Sequence, residues 1–383
     1  MRPEELTNLF ARISEVSTHT EEKTFFQKEI DATEEPCQRK LMFSKEQKNL
    51  LIHGDNLAAM NTLIKMGFKN SIRLIYVDPP FGTNGVFRGN RHISSSYNDK
   101  LAYVDYDLNL EFLEFLGARL KIARELLSED GTIYVHMGLK SSHYVKIILD
   151  MIFGFENFVN DICRVKSNPK NFSRKAFSNV HDHVLVYAKN SKKQLWNEPR
   201  EQYSEEELKR LFPKIEAETG RSYTTVPIHA PGETKNGKTN KEWRGMKPPE
   251  GRHWRCAPEI LEECQIAGKI EWSSNGNPRM KIYADEHKEK GKRMQDVWQK
   301  FKDPMYPKYP TEKNITMLKT IIETSSNSQD IVLDFFGGSG STALAAFELG
   351  RRWIYIDNSE HACKTAANNL RKKDCEFTSY SLD

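Results

Sequence analysis

No apolar run in the 383-residue chain approaches the ~20 residues that cross a bilayer, which argues against a membrane-spanning role. The N-terminal MRPEELTNLFARISEV is acidic and amphipathic and lacks a signal-peptide core, so the expected location is cytoplasmic. The six cysteines include no Cys-x-x-Cys pair, which argues against a disulfide framework and a four-cysteine zinc site. His253, Cys256 and Cys264 fit no common zinc spacing and have no evident fourth ligand, so no metal is expected. Internal repeats and long low-complexity segments are also missing. An excess of charge of one sign is nearly lacking, with a net of +4, and this excludes little; the distribution of charge says more.

Basic residues gather in patches. Arg164 to Lys175 reads RVKSNPKNFSRK, and Arg164, Lys166, Lys170 and Arg174 in it are candidate phosphate contacts. Lys235 to Arg255 interleaves Lys and Arg with Trp243, His253 and Trp254, and there Lys247, Arg252 and Arg255 are the candidates. The bland reading of each patch is a solvated face.

The chain divides by texture. Residues 1–45 read as a charged helical extension. In 46–190, apolar runs at 49–53, 72–77, 131–137 and 183–188, with a helical pattern over 108–127, read as strands alternating with helices, the pattern of parallel βαβ units. Over 191–307 the alternation fades and Pro, Gly, Lys and Trp punctuate the chain, as in an inserted region. In 308–383 a turn and amphipathic helix over 309–322 precede strands at 331–336 and 353–357, with a helix over 341–349 between them.

Asp334-Phe335-Phe336-Gly337-Gly338-Ser339-Gly340 joins a strand to a helix, and Gly338, Gly340 and Ala343 fit a G-x-G-x-x-A spacing. Such a turn admits a ligand to the backbone, and the helix N-terminus beyond it attracts an anionic group. Asp357 ends the next strand, where a carboxylate can accept from ribose hydroxyls. A nucleoside-containing ligand is therefore expected. A nicotinamide cofactor needs several βα units after this turn, but few residues follow Asp357, which weighs against a dehydrogenase.

The strand at 72–77 runs into Asp78-Pro79-Pro80-Phe81-Gly82. An exocyclic amino group on a base is a poor nucleophile because its lone pair is delocalised into the ring. Two fixed acceptors for its N–H groups localise that pair, and Asp78 with the Pro79 carbonyl can supply them. Proline fixes φ and removes a competing donor. Phe81 offers a stacking face for a base taken out of the duplex. The bland alternative is a strand terminator that happens to hold two prolines. For Asp55 the alternative is a helix N-cap, and for Lys313 a surface lysine.

Asp78-Pro-Pro-Phe81 early and Phe336-Gly-Gly-Ser-Gly340 late resemble the amino-group DNA methyltransferases in the order called the beta class. Ile52 to Leu57, His181 to Lys189 and Tyr309 to Lys313 resemble further blocks of that class, and the whole is similar to the modification subunits of type III restriction systems. The resemblance covers roughly 48–190 and 309–367. It implies an α/β, doubly wound, Rossmann-like S-adenosylmethionine-dependent methyltransferase fold in permuted order, with 191–307 as the inserted target-recognition region. It implies S-adenosylmethionine as donor and a catalytic turn of Asp78, Pro79, Pro80 and Phe81. The donor residues implied are Asp55, Thr311, Lys313, Asp334, Phe335, Phe336, Gly337, Gly338, Ser339, Gly340 and Asp357. Phe81 stands where Tyr is commoner, which removes a hydroxyl and keeps the stacking face. Asp rather than Ser at 78 favours adenine N6 over cytosine N4. Double-stranded DNA is the implied substrate, and a second copy of the chain or a restriction endonuclease subunit are candidate partners. The rivals are cytosine-N4 or RNA methylation, a DNA-binding specificity subunit without chemistry, and a nicotinamide oxidoreductase.

Overall fold

The structure, a computed structural model, describes residues 3–16, 25–27, 49–80, 86–88, 101–104, 110–167, 175–234, 236–303 and 313–382. Among these, ten strands form the main sheet, numbered here along the chain: β1 (Phe25–Gln27), β2 (Asn49–His53), β3 (Ile72–Val77), β4 (Leu127–Met137), β5 (Phe158–Val165), β6 (His181–Ala188), β7 (Val297–Trp298), β8 (Ile331–Asp334), β9 (Arg352–Asp357) and β10 (Thr378–Leu382). Their spatial order is β1-β10-β2-β9-β8-β3-β4-β6-β5-β7. From β10 to β4 every pairing is parallel, and β6 runs antiparallel to both β4 and β5. Strands from the late part of the sequence thus sit among strands from the early part, the expected permuted order.

The central strands β3 and β8 are buried almost throughout, as parallel strands covered on both faces must be. One face carries Ile52, Ile75, Val77, Ile133, Leu333 and Ile354, in one apolar cluster with residues of helices Pro3–Glu15, Leu110–Leu126 and Ser142–Phe153. The alternate residues Leu51, Leu74, Tyr76, Tyr134, Val332 and Tyr355 are buried as well. On that side the Tyr134 hydroxyl meets Ser325 Oγ at 2.8 Å, in helix Ile315–Ser325. The expected extension over 1–45 opens with a docked helix: Leu9 and Ile13 are buried, and a Cβ on Gly117 would stand 2.4 Å from Ile13 Cδ1.

Residues 200–294 form a compact unit of their own, narrower than the expected 191–307. The 190s belong to the first unit because Leu195 N–H donates to Asp130 O at 2.9 Å and the Asn197 amide to Glu323 O at 2.8 Å. On the other side Val297–Trp298 pairs with β5 as strand β7, and Trp298 and Phe301 are buried. The 200–294 unit holds an antiparallel sheet of Lys214–Ile215, Ser222–Pro227, Pro278–Tyr283 and Ile270–Trp272, in that order. Its apolar core is Ile228, Trp243, Trp254, Leu261 and Ile270, with Cys256 and Cys264 packed against it.

Candidate active site

β3 and β8 are parallel neighbours, with Leu74 opposite Val332 and Ile75 opposite Leu333. Three residues beyond that last pair lie Asp78 on one chain segment and Phe336 on the other, so the proline turn and the glycine turn leave the sheet side by side. β9 beside β8 ends on Asp357, and β2 beside β9 runs into Gly54-Asp55. Four neighbouring parallel strands therefore deliver a carboxylate each to one edge of the sheet. This is the crevice outside the carboxyl ends of the strands, where the chain order switches direction and where open α/β sheets bind their ligands.

The glycine turn is shaped by its neighbours. A Cβ on Gly337 would stand 2.1 Å from the Tyr355 ring, whose hydroxyl donates to Gly338 O at 2.8 Å. Gly338 and Gly340 take φ of 51° and 81°, the left-handed region that favours glycine. Asp357 accepts from the N–H of Gly338 at 2.9 Å and of Ser359 at 2.8 Å, which ties the turn to the end of β9. Asp334 is buried and accepts from Phe336 N–H at 3.0 Å; burial pushes its carboxyl up to about 7, and the nearby Asp78 and Asp357 add to the rise. Burial raises Asp357 as well.

Asp55 is the N-cap of helix Asn56–Leu63, accepting from Ala58 N–H at 2.9 Å, and its other oxygen pairs with Arg119 at 2.7 Å. Arg119 also donates to the Asn56 side-chain oxygen, and the Asn56 amide donates to Phe335 O at 2.7 Å. Asp55 thus supports the glycine turn through Arg119 and Asn56, two residues the sequence reading does not single out.

Asp78 is held through one oxygen. Lys313 Nζ lies 2.9 Å from Oδ2, so this lysine, expected over the donor, sits on the Asp78 carboxylate. Oδ1 is buried and has no hydrogen-bond partner among the described residues. On its side stands His136 of β4, fully buried, with Nδ1 3.9 Å away. Burial, with the Lys313 ammonium nearby, lowers the His136 pKa and keeps the ring neutral. Nδ1 is bonded to the Tyr76 hydroxyl at 2.8 Å, and Nε2 faces Asp182 Oδ2 at 3.4 Å. Burial opposes ionisation of Asp182, but His136 and the Lys166 ammonium at 2.6 Å hold its carboxyl well below the ordinary range.

That column of buried polar groups corrects one surface assignment. Arg164 is fully buried, with its guanidinium held by Asp303 and by Phe301 O at 2.9 Å, so it is not presented to phosphates. Lys166 is committed to Asp182. The signal for Arg164 lies in FVNDICRV, where Ile162 and Arg164 fall on the inward face of a strand. Of the remaining expected residues, Pro79 is buried behind Asp78 and Pro80 half-buried; Lys247 and Arg255 are exposed and Arg252 half-buried in the 200–294 unit. Phe81, Lys170, Arg174 and Thr311 lie outside the described residues.

The DNA methylase family model for N6 and N4 enzymes matches residues 72–368. The chain is 42% identical to the type II methyltransferase M.EcaI of Enterobacter cloacae, over 84% of this chain and 70% of that one. It is 26% identical to the EcoP15I Mod subunit, a type III restriction-modification enzyme of Escherichia coli, over 81% of this chain and 57% of that one. A solved structure of an M1.HpyAVI–SAM complex is similar over 84% of this chain and all of that one, at 17% identity and a TM-score of 0.43. Among the described residues no helix is long and apolar enough to cross a membrane. By the extent of the family match and the identity to M.EcaI, the chain belongs to the amino (N6/N4) DNA methylases, related to the methylases of type II and type III restriction–modification systems.

Proposed function

We propose that the chain transfers a methyl group from S-adenosylmethionine to the N6 amino group of adenine in duplex DNA, within a restriction–modification system. The observation that carries this reading is Asp78: a carboxylate beside the glycine turn, with Oδ2 fixed by Lys313 and the buried Oδ1 without a partner among the described residues. An acceptor so placed suits an N–H donor brought in by a base.

The crevice also fits the donor. Burial, with Asp78 and Asp357 nearby, raises the Asp334 carboxyl, and such a site favours a cation. Both Asp357 oxygens accept from main-chain N–H groups, and a carboxylate has acceptor capacity beyond these for a ribose hydroxyl. When bound, S-adenosylmethionine supplies an electrophilic methyl group. The chain supplies the rest. Asp78 Oδ1 and the Pro79 carbonyl accept the two amino N–H groups, which keeps the lone pair on nitrogen and out of the ring. Lys313 aims the carboxylate, and Asp78 is the near base for the proton the nitrogen sheds. Asp in place of Ser at 78 favours adenine. The likeness to M.EcaI and to the EcoP15I Mod subunit supports the restriction–modification setting.

The test is single-molecule sequencing of DNA from a methylation-free host expressing the chain or its Asp78→Ala variant. N6-methyladenine in one recurrent word, lost in the variant, is expected. N4-methylcytosine in that word overturns the choice of adenine and leaves amino-group transfer standing. An unmodified genome, with no donor binding by the purified chain, overturns the whole reading.

A further inference from the structure

Two groups of cations in the 200–294 unit differ in what holds them. Arg221 pairs with Asp285 at 2.8 Å, Arg244 with Glu262 at 2.5 Å, Lys214 with Glu271 at 2.5 Å, Lys281 with Glu216 at 2.8 Å and Lys292 with Glu207 at 2.6 Å. Carboxylates already neutralise these. Arg252, Arg255 and Arg279 differ: among the described residues no carboxylate lies within ion-pair distance of any of them, and their partners are neutral. Arg252 Nη1 meets His229 Nδ1 at 3.2 Å. Arg255 Nε donates to Pro227 O at 2.9 Å. Arg279 donates to Thr225 Oγ1 at 2.9 Å and Thr225 O at 2.8 Å.

All three are anchored on one stretch, Thr225 to His229. Pro227, which holds Arg255, is the cross-strand partner of Arg279. Burial lowers the His229 pKa first, and Arg252, Arg255 and Arg279 lower it further, so all three charges are felt at one ring. Three positive charges kept together without a counter-charge repel one another. A guanidinium held at one edge by a neutral acceptor retains its charge and further N–H groups, and loses little freedom when it meets an oxyanion.

We propose that Arg252, Arg255 and Arg279, set around His229, form a built anion site that grips the phosphodiester backbone of the DNA substrate. This rests on the DNA methyltransferase reading above. Arg279 lies in none of the basic runs of the sequence; the fold brings it to the other two.

The test is duplex binding by the full chain as a function of salt, for Arg252→Ala, Arg255→Ala and Arg279→Ala against Arg221→Ala, Arg244→Ala and Lys281→Ala. Each of the first three is expected to flatten the slope of log affinity against log salt by about 0.9, equally on cognate and unrelated duplexes. The carboxylate-paired controls are expected to keep the wild-type slope. Arg279→Lys, which keeps the charge, is expected to retain most of the slope, separating charge from folding. A wild-type slope in the three alanine variants overturns the site. So does lost preference for the cognate word at unchanged slope, which would make the cluster a reader of bases. Failure of the unaltered chain to bind any duplex overturns the DNA methyltransferase reading itself.

Discussion

At the scale of single residues, the site turns on how one carboxylate is held. Lys313 and Asp78 are both largely buried, so their pair is weakly screened. Replacing Lys313 by Met removes a charged hydrogen bond, of the kind worth about 1.5–3 kcal/mol, and leaves the glycine turn untouched. We expect kcat to fall about 10- to 100-fold with donor affinity unchanged, and Lys313→Arg to restore part of it. Steady-state kinetics with donor titration checks this; a loss confined to donor affinity would return Lys313 to the donor site. Asp334 makes the second prediction. Burial raises its carboxyl to about 7, so it takes up a proton as pH falls from 8 to 6. A cationic donor favours the ionised form. Donor affinity should therefore drop as pH falls through about 7 and flatten in Asp334→Asn, as read by calorimetry across buffers. The same shift means that the folded state holds more protons than the unfolded chain between about pH 4 and 7, so Asp334 takes stability away as pH rises through that window.

At the scale of elements, the two turns were legible because each needs residues of a special kind. A strand running into Asp-Pro-Pro and a strand running into Gly-Gly-Ser-Gly are local patterns, and β3, β8 and β9 lie where their apolar runs place them. β5 was not legible. Its sequence FVNDICRV mixes polar with apolar residues, and Arg164 reads as surface until Asp303 and Phe301 O are seen beside it. The glycines were legible as a turn, though not for their full reason. Gly337 is required because Tyr355 fills the space of a Cβ, and the ring is fixed by its bond to Gly338 O. Gly337→Ala is expected to cost about 1–3 kcal/mol of stability, as overpacking does, measured by chemical denaturation.

At the scale of the whole molecule, the 200–294 unit enters and leaves the chain at one place. Arg200 and Glu201 pair antiparallel with Arg293 and Lys292, so its ends lie side by side. Replacing residues 202–291 by Asn-Gly would close that strand pair as a tight hairpin. The shortened chain should fold cooperatively and bind donor with the affinity of the full chain, while losing duplex binding. Thermal unfolding and DNA titration check this; retained duplex binding would place recognition outside 200–294.

The sequence by itself determined strands β2, β3, β4, β6, β8 and β9, the two turns and their order along the chain. Those features follow from residue type at short range: apolar runs, proline-fixed dihedrals, glycine-tolerated φ. Only the tertiary structure decided that β3 and β8 are neighbours, that Lys313 closes on Asp78, that His136 and Asp182 stand behind it, and that Arg164 is buried while Arg279 joins Arg252 and Arg255. The reason is physical. A local pattern records which face of an element is buried; the partner of a charged side chain depends on which distant strand the sheet sets beside it.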